Sequence, residues 1–207
     1  MKEKYAITIG RQLGSGGKQI GKLLASQLEI SCYDKELIQI ASKESGLSKE
    51  LFEQADEKVS FSLLGNLLNI SPMGGDIYTN NYLCNDSLFK IQSDVIKDLA
   101  EKQSCIFVGR CADYILRDHP HHLHVFISAN MEDRIKRINL QNEFSKEKTM
   151  LLLEQADKKR AGYYNYYSNK VWGMANSYDL CINSSILGVE ETAAYILSFA
   201  EKKFSLA

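Results

Sequence analysis

Residues 5–28 read YAITIGRQLGSGGKQIGKLLASQL, and the fold class rests on how this stretch is understood. The apolar run Tyr5-Ala6-Ile7-Thr8-Ile9 has the character of a short strand. Five glycines follow within twelve positions: Gly10, Gly14, Gly16, Gly17 and Gly21. Beyond them Ile20, Leu23, Leu24 and Leu28 recur at helical spacing and make one apolar face. A strand, a glycine-rich turn and a helix start form a ready anion site. Glycines let backbone N–H groups crowd a phosphate, and the helix presents its positive dipole end. Lys18, just inside the helix, places an ammonium within reach of the same phosphate. Five glycines weaken an element unless something requires them, which favours phosphate binding over a turn that merely packs helix on strand.

The loop departs from the strict pattern G-x-x-x-x-G-K-[ST]. Gly17-Lys18 supplies the central pair, but Gln12 stands where the first glycine belongs, and Gln19 replaces the hydroxyl that usually binds magnesium. A magnesium ion here would need water or another side chain, such as Ser15.

Working outward, four more apolar runs read as strands: Glu29 to Tyr33, Ser104 to Val108, Leu123 to Ser128 and Asp179 to Asn183. Helices are expected between them. Asp34 caps one over Lys35 to Ser45, and Ser48 caps another to Lys58. A third runs from Asp86 or Ser87 to Lys102. A short helix spans Ala112 to Leu116, and Asn130 caps the next. A charged helix covers Lys146 to Gly162, and the last runs from Val189 to Lys203. Ser60 to Asn85, apolar but broken by Gly65, Pro72, Gly74 and Gly75, reads as part of an insertion, mobile or ligand-covering, rather than a linker. Strands alternating with helices mean an α/β fold with a parallel sheet, whose ligands gather beyond the carboxyl ends of the strands. Gly10 to Lys18, Asp34 and Gly109-Arg110 therefore converge on one cleft.

Arg110 follows an apolar strand and a glycine, and its planar fork suits a phosphate or carboxylate. Asp157 and Arg160 share a helix face; together they can hold a hydroxyl or amine beside a phosphate, or form a surface pair. Arg134 and Arg137 have the same spacing, and the same two readings apply. Tyr163 to Tyr167 with Trp172 can stack a base or pack the region against the body. His119, His121, His122 and His124 resemble a metal cluster, but Pro120 interrupts them and strand alternation separates their directions, so no metal ligands are assigned. An oxidoreductase alternative rests on Gly10-x-x-x-Gly14-x-Gly16 and Tyr166-x-x-x-Lys170, as in short-chain dehydrogenases; it leaves Lys18 without a role.

At 207 residues and a formal net charge of −1, the chain fits one domain and carries no global field toward nucleic acid or an anionic membrane. No apolar run approaches a membrane span, and MKEKYAITIG has no apolar signal region. Five cysteines without a C-x-x-C pair, three of them in apolar runs, predict reduced and mostly buried thiols, hence a cytoplasmic setting.

The segments ITIGRQLGSGGKQIGKLLA, YDKELI, IFVGRCADYIL, HVFISANMEDRIKRI, DKKRAGYY and YDLCINSS, in this order, resemble the cytidylate kinase-like family across nearly the whole chain. The resemblance implies a P-loop NTPase fold: a five-stranded parallel sheet, order 2-3-1-4-5, in a single domain over 1–207. An acceptor-binding insertion would fall within about 34–102 and a lid within about 141–172. It implies that Gly14, Ser15, Gly16, Gly17, Lys18 and Gln19 cradle ATP with Mg2+. It further implies that Arg110, Asp157, Arg160 and Asp34 bind the acceptor, that Arg134 faces the transferred phosphate, and that Lys18, Arg110, Arg134, Asp157 and Arg160 carry catalysis. The expected activity is phosphoryl transfer from ATP to a nucleoside monophosphate such as CMP or dCMP. Alternatives are another small phosphate or hydroxyl acceptor, or nucleotide binding without turnover. Small-molecule nucleotides are the expected partners; the sequence sets no oligomeric state. Cys111 departs from the family, whose active members tend to carry an acid after Gly-Arg.

Overall fold

A computed structural model describes residues 3–34, 40, 78–140, 142 and 144–206. The helices expected over Lys35 to Ser45 and Ser48 to Lys58, and most of the insertion segment from Ser60, lie outside the described residues. The chain divides into two compact units, residues 1–34 with 98–207, and residues 35–97.

The first unit holds the sheet: β1 (Ala6–Arg11), β2 (Ser31–Tyr33), β3 (Cys105–Val108), β4 (His122–Ser128) and β5 (Leu180–Asn183). The strands run parallel in the order β2-β3-β1-β4-β5, as expected. Ile7 sits opposite Ile106 on one side and Leu123 on the other. Odd-numbered β1 and β4 residues, Ile7, Ile9, Leu123, Val125 and Ile127, pack under α1 (Gly17–Leu28) and α6 (Ser184–Phe204). Ile20 and Leu24 of α1 and Ala193, Ile196 and Ala200 of α6 are fully buried there or nearly so. Each large aliphatic removed from water in this layer contributes about 1.5–3 kcal/mol.

Even-numbered residues face the other layer. Thr8 and His124 are register partners with a 2.9 Å side-chain contact. Phe126 meets Trp172 edge-on and tilts against Tyr178, which stacks near Tyr164. This layer includes α3 (Ala112–Ile115) and α5 (Lys146–Ser168); α4 (Met131–Asn139) packs against α5. Tyr164 is buried and Tyr166 exposed, so the tyrosine run divides between packing and solvent.

Several boundaries differ from the sequence reading. β1 continues through Gly10 to Arg11 because both pair with β4. α2 (Tyr78–Lys102) starts before Asp86, through residues of weak helix propensity with no glycine or proline to stop it. α5 passes Gly162 and ends at Ser168, capped by Asn169, whose left-handed backbone (φ 54°) returns its N–H to Asn165. α6 begins directly after β5, capped by Asn183, and kinks at Gly188. Asn130 occupies the cap position of α4, but its side chain accepts from Asn183 instead of a helix amide. Cys181, expected inside, is exposed, because β5 is an edge strand and alternate residues face out. Cys32 is half-buried; Cys105 and Cys111 are buried. No described helix is long and apolar enough to cross a membrane.

Within the second unit, the Tyr78–Lys97 part of α2 buries Val95, Ile96 and Gln92, and Ser93 donates back to the Phe89 carbonyl at 2.7 Å.

Candidate functional site

The glycine loop runs from Gln12 to Gly16 between β1 and α1. Gly14 and Gly16 have φ of 76° and 82°, a region cheap only for glycine. A Cβ on Gly14 would also lie 2.9 Å from the Arg134 carbonyl. Each loop carbonyl has a donor. Ser15 Oγ donates to Gln12 O at 2.9 Å, and Arg134 Nε donates to Leu13 O at 2.7 Å. Arg137 Nη1 donates to Gly14 O at 3.2 Å, and Ser184 Oγ to Ser15 O at 2.7 Å. Gly16 O accepts from Ile20 N as α1 begins. Two loop amides are tied as well, Leu13 N to Asp157 Oδ1 at 2.9 Å and Ser15 N to Gln12 O at 3.4 Å. The helix start has no side-chain cap, and the first N–H groups of a helix have no intrahelical acceptor. Gly17, Lys18 and Gln19 thus open the helix with N–H groups that have no intrahelical acceptor.

Asp157 and Arg134 brace this loop from behind. Asp157 Oδ1 accepts from Leu13 N at 2.9 Å, while its Oδ2 meets Arg134 Nη2 at 2.5 Å. Both side chains are largely buried. The sequence put Asp157 beside an acceptor and Arg134 over a transferred phosphate; here both are engaged with Leu13. Ser15 is fully buried, with its hydroxyl spent on Gln12. The Gln12 side-chain oxygen accepts from Ala129 N at 3.1 Å, tying the loop to the end of β4.

In front of the loop, Lys18 Nζ lies 2.9 Å from Asp34 at the end of β2, and Arg11 Nη2 lies 3.6 Å from the same carboxylate. Arg11 leads into a cleft of about 370 Å³, counting the part open to solvent. Three guanidinium groups line it: Arg11, Arg110 and Arg160. Asp113, Tyr163, Tyr164, Trp172 and Tyr178 form much of the remaining wall. Arg160 also donates to Arg11 O at 3.0 Å. Lys18 and Arg110 are therefore linked through Asp34 and Arg11, although Lys18 is not itself a wall of the cleft.

The Gly109-Arg110-Cys111 turn is left-handed at three successive residues, with φ of 80°, 62° and 53°. Each non-glycine residue in that conformation costs about 1–2 kcal/mol. The turn closes by Ala112 N donating to Gly109 O at 3.2 Å. Burial lowers the pKa of Arg11 to about 9; Arg160 and Arg110 add to the depression and Asp34 opposes it. Burial also lowers that of Arg160, against the pull of Asp157 and Asp34. Burial pushes the Cys111 thiol up, with Asp113 adding to the effect, so this thiol is not a poised nucleophile. Burial raises the Asp113 carboxyl although Tyr164 donates to it at 2.6 Å.

Arg11 was passed over in the sequence, where it reads as the last residue before a loop. Ser184 was also missed; its only signal is a hydroxyl directly after the fifth strand. The histidines do not converge as a set. His122 and His124 stack at 4.3 Å, His119 bonds backbone at 121, and His121 pairs with Glu3 at 2.8 Å. Among the described residues no group of three metal-ligating side chains is found.

The model of the cytidylate kinase-like family matches residues 6–186. The chain belongs to that family. An uncharacterized protein from Eubacterium ventriosum is 26% identical over 96% of this chain and 99% of its own, with a TM-score of 0.71. Shikimate kinase from Bacteroides thetaiotaomicron is 13% identical over 95% of this chain and 98% of its own, with a TM-score of 0.55. Shikimate kinase from Acinetobacter baumannii, in complex with shikimate, is 12% identical over 97% and 95%, with a TM-score of 0.53. At this identity the two enzymes share the fold with the cytidylate kinase-like chain. No curated protein matches it. Family and fold together make this a P-loop kinase architecture. Its sheet order differs from the 3-2-1-4-5-6 order of dinucleotide-binding sheets, which removes the ground for the dehydrogenase alternative.

Proposed function

We propose that this chain transfers a phosphoryl group from ATP to a nucleoside monophosphate, with CMP or dCMP as the first candidates. The supporting observation is the junction between the two parts of the site. A glycine loop whose carbonyls are held by side chains lies next to an arginine-lined cleft, and Asp34 pairs with a cation from each. Phosphoryl transfer asks mainly for positioning and charge neutralisation, and these residues supply both.

In this reading Gly14 to Gln19 hold the donor phosphates through backbone N–H groups and the Lys18 ammonium. Arg110 and Arg160 clamp the acceptor's phosphate. Arg134 and Asp157 keep the loop in shape from behind. Mg2+, which would neutralise the phosphates, finds no hydroxyl at Gln19 and none free at Ser15. In this reading Asp34, already paired with Lys18, would hold it through water, since Mg2+ keeps several waters in such sites.

Asp34 also favours a second reading. A phosphate acceptor already carries its nucleophilic oxygen as an anion, whereas a hydroxyl acceptor needs a base, and a carboxylate beside Lys18 is placed to serve as one. A coupled assay of ADP release with CMP, dCMP, UMP and AMP separates the two. Turnover on CMP or dCMP that disappears in Lys18→Ala supports the proposal. Activity on none of the four, or full activity in the variant, overturns it.

A further inference from the structure

Arg11 sits in a channel that glycines leave open. A Cβ on Gly109 would fall 1.9 Å from Arg11 Nη1, and a Cβ on Gly17 would fall 2.6 Å from Arg11 Cβ. Gly17 has no positive φ, so the side chain of Arg11 is what its missing Cβ accommodates. One glycine opens α1 directly after the glycine loop and the other belongs to the turn that carries Arg110. The side chain therefore passes from one half of the site to the other and ends at the cleft wall with Arg110 and Arg160.

A structural arginine held by Asp34 would be expected to close a bidentate pair. Instead the Arg11–Asp34 separation is 3.6 Å, beyond ordinary hydrogen-bond reach, and Lys18 holds the closer contact to that carboxylate at 2.9 Å. The guanidinium, its side chain 21% exposed, lies among like charges from Arg160 and Arg110. An anion in the cleft would relieve that arrangement.

We propose that Arg11 is a third anion-binding guanidinium of the acceptor site, closing with Arg110 and Arg160 on a dianionic phosphate group. This rests on the kinase reading of the cleft and deepens it. The acceptor is a phosphate ester, and the corresponding uncharged nucleoside does not bind.

The test is calorimetric titration of the full chain with ADP, and then with inorganic phosphate at saturating ADP so that the glycine loop is filled. In Arg11→Gln, ADP affinity stays within about threefold while phosphate affinity falls about tenfold or more, the loss expected of one charge-assisted contact. Unchanged phosphate affinity overturns the proposal. So does an equal fall in both affinities, which would make Arg11 a support for the loop. If Arg11→Gln does not fold, Arg11→Lys carries the comparison, because it keeps the charge and stem but loses the fork. Weaker phosphate binding with ADP unchanged then supports the proposal, and unchanged phosphate binding overturns it. If the wild type binds no ADP, phosphate is titrated alone. Arg11-dependent binding then stands while the donor-site reading fails. A wild type that binds no phosphate in either titration overturns the Arg11 assignment.

Discussion

Arg134 and Asp157 meet side chain to side chain at 2.5 Å, and each also takes one polar group of Leu13, the carbonyl for Arg134 and the amide for Asp157. The pair belongs to two packed helices, α4 and α5, so the shape of the loop depends on how those helices meet. Removing one partner of a buried pair leaves the other charge uncompensated, at a cost of about 3–5 kcal/mol. Asp157→Ala should therefore lower the urea midpoint strongly and weaken ADP binding. Asp157→Asn, which keeps an oxygen for Leu13 N, should do less of both. A wild-type midpoint in Asp157→Ala would show that the loop holds without this brace.

Gly17 and Arg11 should be coupled in stability. Forcing a methyl against the Arg11 stem is overpacking, which costs about 1–3 kcal/mol. Gly17→Ala alone should show that loss. In an Arg11→Gly background the space is free, and the penalty should shrink by at least about 0.5 kcal/mol, the coupling expected of touching residues. Additive effects in denaturant titrations would mean that Arg11 is not what fills the space.

His124 should make stability fall in mild acid. Burial pushes its pKa down to about 3; His122, Lys170 and Lys203 act in the same direction and Asp179 against it. Its Nε2 is buried without a hydrogen-bond partner, and Thr8 meets Nδ1. The unfolded chain binds the proton near pH 6.5 and the folded chain does not until about 3. Stability is therefore lost as pH drops below about 6.5, by roughly 1.4 kcal/mol per pH unit. His124→Gln should flatten that slope between pH 7 and 5 in urea titrations. A slope identical to the wild type would assign the acid loss to other groups.

Tyr164 should matter through its hydroxyl. It donates to Asp113 at 2.6 Å, and Asp113 is buried with its pKa already raised by burial. Tyr164→Phe leaves a carboxylate oxygen short of a donor, at about 1–3 kcal/mol. A melting temperature within error of the wild type would contradict this.

The sheet and most of its helices were legible because their signals are local. Apolar runs marked the strands, and Ile20, Leu23, Leu24 and Leu28 marked the face of α1 that is now packed on the core. The glycine loop was legible for the same reason, since its conformation demands glycine at fixed positions. The brace on Leu13 was not, because its partners lie 121 and 144 residues away in sequence and only the packing of α4 and α5 brings them back. Arg11 was hidden by its place at a strand end, where nothing local distinguishes a cleft-facing arginine from a solvated one. Cys181 misled because an apolar neighbourhood says nothing about lying on the edge of a sheet.

The most direct test separates the two duties of the site by initial-rate kinetics with ATP and CMP varied independently. The account predicts that Lys18→Ala chiefly impairs the dependence on ATP, by about tenfold or more, and that Arg110→Ala impairs the dependence on CMP by a similar factor while ATP binding is kept. Wild-type kinetics in both variants, or a loss of ATP affinity alone in Arg110→Ala, would contradict it.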